Sequence, residues 1–161
     1  MHTPELIKSR TIKWLKGMLL QTDRLLDQDP ADPNYNGGGC DAHFFAIALA
    51  NALYWIKKTD LDTVAYAAEL RRFSSELADG KDLRDMLEHD GDYIIGRGNK
   101  QGEYEIETHG NNGSLHIQGL APFTLIHTNE GVSLGGRVSI NLARELAKEL
   151  LPKIISAPSA V

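Results

Sequence analysis

A chain of 161 residues with 17 basic and 22 acidic side chains, net charge −5, has the size of one domain, which buries roughly 70% of the surface its unfolded chain exposes. Its single cysteine, Cys40, excludes an internal disulfide and suits a reducing cytoplasm. The acidic balance excludes capture of a phosphate backbone by bulk charge, so a nucleic-acid role would need a local group of cations.

Thr3-Pro4-Glu5 reads as a helix start, with a hydroxyl cap, a proline whose missing N–H costs nothing there, and an acid at the positive end of the dipole. Ile7, Thr11, Trp14, Met18 and Leu25 then form one apolar stripe, predicting a first helix to about Leu26. Lys8, Arg10, Lys13 and Lys16 interrupt it, so it reads as neither a signal peptide nor a membrane span. Asp29-Pro30 through Asn34 and Gly37-Gly38-Gly39 form a connector, after which Asp41 is a plausible cap. The triple glycine lacks the lysine, the hydroxyl and the preceding strand of a phosphate-binding loop, and reads as a flexible link.

The second helix, from about Ala42 to Lys57, is apolar nearly all round, as the central helix of a bundle would be. Asp60 or Asp62 can cap a third helix with Tyr66, Leu70, Phe73 and Leu77 along one face, stopped by Asp79-Gly80. A fourth is expected from Lys81 to Ile95, ended by Gly96 and Gly98. From Glu103 the period becomes two: Tyr104, Ile106 and Thr108, a Gly110-Asn111-Asn112-Gly113 turn, then Leu115 and Ile117. This predicts a hairpin or small meander that continues through Phe123 to Ile126 and Val132 to Leu134. Ser139 caps a last amphipathic helix through Ala143, Leu146, Leu150 and Ile154, before a frayed tail.

The fold class is therefore mainly α. One domain holds a four- to five-helix bundle over residues 3–95, a small antiparallel β elaboration over 103–136, a last helix over 139–155 and a tail over 156–161.

On a wheel of about 100° per residue, Leu83, Leu87 and Ile94 of the fourth helix share a core sector flanked by Met86 and Asp90. Arg84, Asp85, Glu88, His89 and Asp92 spread over the other side, with Arg84 and His89 about 140° apart. A solvated face with an ordinary i,i+4 Arg84–Glu88 pair is the plain reading. Asp90 beside the core calls for a hydrogen-bond partner and suggests a structural role. Arg97 and Lys100, in the Gly-rich stretch that follows, could contact an anion, although a glycine C-cap with a solvated loop explains them as simply. His109, His116 and His127 lack any metal-ligand spacing and read as surface histidines.

The hexapeptide Arg84-Asp85-Met86-Leu87-Glu88-His89 resembles the arginine, polar residue, short gap, histidine motif of HEPN domains, small helical bundles that often act as RNases. The resemblance loosely covers residues 3–95; the β segment and the last helix depart from the simplest form of that bundle. It implies a homodimer whose two motifs face each other, cutting RNA without a metal or other cofactor. His89 would move protons, Arg84 would hold the phosphate, and Asp85 would orient one of them. Arg97 and Lys100 would be secondary contacts to the RNA. Toxin–antitoxin and defence systems use such proteins, which would make a nucleotidyltransferase-like antitoxin a partner. The alternative is a non-catalytic module of the same fold that dimerises or binds a protein or nucleotide.

Overall fold

The computed structural model describes residues 2–29, 31–33, 38–100, 102, 106–110, 113–117 and 124–158. Helix α1 spans Pro4–Leu26. Its start is as the sequence implies, with the Leu6 N–H donating to Thr3 Oγ1 at 3.3 Å. Helix α2, Gly39–Ile56, begins after Gly38, whose φ of 92° takes it into the left-handed region. Asp41 lies inside the first turn instead of capping it, and pairs with Arg24 on α1 at 3.3 Å.

Helix α2 packs against both α1 and α4, Gly80–Glu88, and so holds the central place its composition predicts. The fit is not all round, since Phe44 and Tyr54 are about half exposed, at 52% and 48%. Helix α3, Ala67–Glu76, buries Leu70 and Phe73, with Tyr66 and Leu77 buried at its two ends. Its N-cap is Tyr66, without a side-chain cap. Asp60 instead closes the preceding turn, its Oδ1 accepting from the Asp62 N–H at 3.2 Å.

Gly80 differs from expectation in an informative way. It opens α4 instead of stopping α3, and a Cβ there would lie 2.5 Å from Leu49 Cδ2 on α2. The missing side chain lets α4 sit close on the central helix.

The expected Lys81-to-Ile95 helix is two helices, α4 and the short α5, Asp90–Ile94, with His89 between them. Dipoles account for the break. A continuous helix would crowd Glu88, Asp90 and Asp92 toward its negative end, whereas a fresh start places Asp90 and Asp92 in a first turn, where anions are favoured. Gly91 weakens the case for continuation further.

Strands β1, Ile106–Gly110, and β2, Gly113–Ile117, form the expected hairpin, pairing Ile106 with Ile117 and Thr108 with Leu115. The Glu103-to-Glu105 start of that hairpin, Asn111-Asn112, Phe123 and the tail beyond 158 lie outside the described residues. Strands β3, Leu125–Thr128, β4, Gly131–Leu134, and β5, Val138–Ser139, make a three-stranded antiparallel sheet.

Helix α6, Ile140–Ser156, follows at once, with the Leu142 N–H donating to Ser139 Oγ at 3.2 Å. It packs along α1 and α3 and buries Ala143, Leu146, Leu150 and Ile154 in the same core as the earlier helices. The bundle therefore extends beyond residues 3–95 to include the last helix. Arg144 ties α6 to Asp23 of α1 at 2.6 Å, and Arg72 of α3 reaches Glu149 at 3.0 Å. No helix among the described residues is long and apolar enough to cross a membrane.

Candidate active site

Three apolar anchors set the orientation of α4: Leu83, Met86 and Leu87 are buried, which turns Arg84, Asp85 and Glu88 outward. His89 is the joint between the helices. Its N–H donates to Asp85 O at 3.2 Å, closing α4, and its carbonyl accepts from the Asp92 N–H at 2.9 Å, opening α5. The backbone is thus fixed on both sides, while the imidazole, 65% exposed, is open to solvent.

A Schellman motif closes α5. The Arg97 N–H donates to Asp92 O at 2.7 Å and the Gly96 N–H to Tyr93 O at 3.1 Å, with Gly96 at φ 75°. The glycine C-cap reading of this stretch therefore holds for Gly96. Gly98 has a different reason to be glycine, because a Cβ there would lie 2.2 Å from Tyr93 Cδ1. The loop lies flat on the tyrosine ring, and the Lys100 N–H donates to the Tyr93 hydroxyl at 3.2 Å.

These elements enclose a cleft of about 500 Å³. All five residues singled out from the sequence, Arg84, Asp85, His89, Arg97 and Lys100, line it. The sequence reading missed Tyr93, which is 5% exposed and packs with Met86. On a wheel Tyr93 falls about 80° from Leu83 but only about 20° from Met86, seven residues earlier, so its inward place beside Met86 continues the same side of the helix. The Asp90 side chain, for which a structural role was expected, lies outside the described residues.

The cleft is rich in charge but balanced. Lys81, Arg84, Arg97 and Lys100 are met by Asp82, Asp85, Glu88 and Asp92. Arg84 Nη2 lies 2.6 Å from Asp85 Oδ1, Lys81 reaches the other Asp85 oxygen at 3.6 Å, and Lys100 Nζ lies 2.5 Å from Asp82 Oδ2. Arg84 Nε is covered and has no hydrogen-bond partner among the described residues, since Glu88 Oε2 at 3.5 Å is an ion-pair neighbour without hydrogen-bond alignment. Arg97 makes no ion pair with any described residue. His89 Nδ1 and Asp92 Oδ2 are 3.9 Å apart, too far for a direct hydrogen bond.

The described residues contain no group of three or more histidine, cysteine, aspartate or glutamate side chains arranged to hold a metal ion. His127 is exposed on β3, as expected for a surface histidine; the side chains of His109 and His116 lie outside the described residues. No protein-family model, no curated protein and no solved structure matches the chain.

Proposed function

We propose that the protein is a metal-independent endoribonuclease that works as a homodimer, with Arg84 and His89 of each protomer facing one groove. One observation carries this reading: Arg84, Asp85, His89, Arg97 and Lys100, chosen from the sequence, line a single cleft. An imidazole titrating near neutrality is suited to taking the proton of a ribose 2′-hydroxyl. The 2′-oxygen then attacks the adjacent phosphorus and the bond to O5′ breaks. The second protomer's imidazole protonates that leaving oxygen, and the product ends in a 2′,3′-cyclic phosphate.

Arg84 stabilises the pentacoordinate phosphate, for which its planar fork is suited. Asp85 orients it, a role supported by their 2.6 Å contact. Arg97, which makes no ion pair with any described residue, and Lys100 serve as further phosphate contacts. A toxin or defence role, with a nucleotidyltransferase-like antitoxin as a second partner, fits such an activity.

The test compares cleavage of a broad RNA panel, with EDTA present, by the parent, Arg84→Ala and His89→Ala proteins, each shown to be folded by circular dichroism. Loss of about 100-fold or more in each variant is expected, within the range of acid–base catalysis, and DNA should resist. Equal cleavage by all three proteins sinks the assignment.

One observation favours a second reading, a non-catalytic module that dimerises or binds a protein or nucleotide partner. Asp85 and Glu88 already surround Arg84, and carboxylates balance the cations of the cleft. A parent protein that dimerises but cuts no RNA in the panel supports this alternative.

A further inference from the structure

A second cavity, of about 550 Å³, lies between the start of α1, the segment joining α2 to α3, and the end of α6. It shares no residue with the cleft on α4 and α5. Much of its wall is hydrocarbon, from Ile7, Val64, Leu70 and Ile154. Leu70 and Ile154 are buried, whereas Ile7 and Val64 keep part of their surface exposed, which a ligand would cover. Apolar walls with a few polar groups to fix orientation are the usual build of a small-molecule site of this size.

The polar groups point to the sign of the ligand. Lys8 Nζ donates to the Ala157 carbonyl at 2.5 Å. That acceptor is neutral and uses one of three ammonium protons, and Lys8 makes no ion pair with a carboxylate among the described residues. Lys58, also in the lining, lies 5.2 Å over the Tyr54 ring and makes no ion pair with an acidic side chain among the described residues. Asp60 is the one carboxylate among the lining residues, and its Oδ1 already accepts from the Asp62 N–H. The Tyr66 hydroxyl makes no hydrogen bond with any described residue. Burial holds its phenol above the ordinary value, so it remains a neutral O–H donor at physiological pH.

We propose that this cavity binds a small amphipathic carboxylate, with its hydrocarbon body against Ile7, Val64, Leu70 and Ile154 and its carboxylate on Lys8 and Tyr66. The charge complementarity is local, because the whole chain carries −5. An anion would therefore be drawn to the site by these residues and not by the molecule as a whole.

The experiment titrates the full chain with decanoate, decanol and decyltrimethylammonium, followed by amide NMR. Decanoate should shift the amides around Ile7, Val64 and Leu70 and bind about ten-fold or more tighter than decanol, as charge-assisted hydrogen bonds allow. Lys8→Met should reduce that preference to within about three-fold. Should Lys8→Met fail to fold, Tyr66→Phe removes only the hydroxyl, and a few-fold weaker decanoate binding is expected. Val64→Trp, which fills the cavity from a partly exposed position, should abolish binding of all three probes. The proposal is overturned if decanoate binds no tighter than decanol, if it does not bind, or if Val64→Trp leaves its binding intact.

Discussion

Glu88 is the carboxylate that most directly opposes use of the cleft on an anion. Its Oε2 stands 3.5 Å from Arg84 Nε, where its charge competes with any anion for the guanidinium. Because the pair is partly exposed, its attraction is modest, up to about 1 kcal/mol, or roughly five-fold in a binding constant. Glu88→Gln should therefore lower the KM for RNA by up to about five-fold and change kcat less. Steady-state kinetics on one cleaved RNA measure both; an unchanged or raised KM would mean that Arg84 meets no phosphate. Tyr93 supports the other wall. Gly98→Ala should force the loop off its ring, weakening RNA binding as Arg97→Ala does while costing the fold little, because the loop is at the surface. Binding and urea unfolding, measured together, separate those two effects. Of these residues, Arg84 and His89 were singled out in the sequence by a resemblance to a family motif, and they line the same cleft. Tyr93 was passed over although, seven residues after Met86, it lies on the same side of the wheel and its inward place was open to the same reading.

At the scale of elements, capping chemistry and apolar faces were the most readable features. Thr3 and Ser139 cap the helices they were expected to cap, and the stripe of α6 is buried where its spacing puts it. Ser139→Ala should destabilise the protein by about 1 kcal/mol, the usual cost of losing such a cap, read as a lower urea midpoint with an unchanged m-value. The glycines were harder to read. In sequence Gly80 looks like a helix stop, yet it lies in α4 where a Cβ would meet Leu49. Gly80→Ala thus sets a gain in helix propensity of about 1 kcal/mol against overpacking of typically 1–3 kcal/mol. We expect a net loss of stability, together with weaker activity as α4 is pushed off α2; a stabilised variant would show that Leu49 yields freely. The last helix is a further lesson in range. Sequence periodicity shows that α6 has an apolar face but not which surface covers it, and α1 and α3, its partners, lie far back in the chain.

For the whole molecule, the charge balance makes a prediction that distinguishes this protein from a basic RNA-binding domain. With a net charge of −5, it offers RNA no long-range attraction, and beyond a Debye length of about 8 Å at physiological salt even its repulsion is largely screened. On the proposed reading, binding would rest on the few cations able to touch phosphates inside the cleft. For a single strand, the logarithm of the affinity falls with the logarithm of salt concentration by about 0.7 for each phosphate neutralised. A groove using Arg84 and Arg97 from each of two protomers would have a slope of about −3, and Arg84 alone about −1.4. Lys100, held by Asp82 at 2.5 Å, should add little. Binding of an uncleaved RNA analogue, measured from 50 to 300 mM salt, should give a slope no steeper than about −3. It should become about 1.4 shallower in Arg97→Ala, if both protomers contribute that side chain. Cleavage per chain should also decline on dilution in step with the dimer fraction seen by sedimentation, because one protomer supplies only one imidazole to a step that needs a base and an acid. Activity that holds constant while the dimer dissociates would place the whole reaction on a single chain, and the composite groove would have to be abandoned.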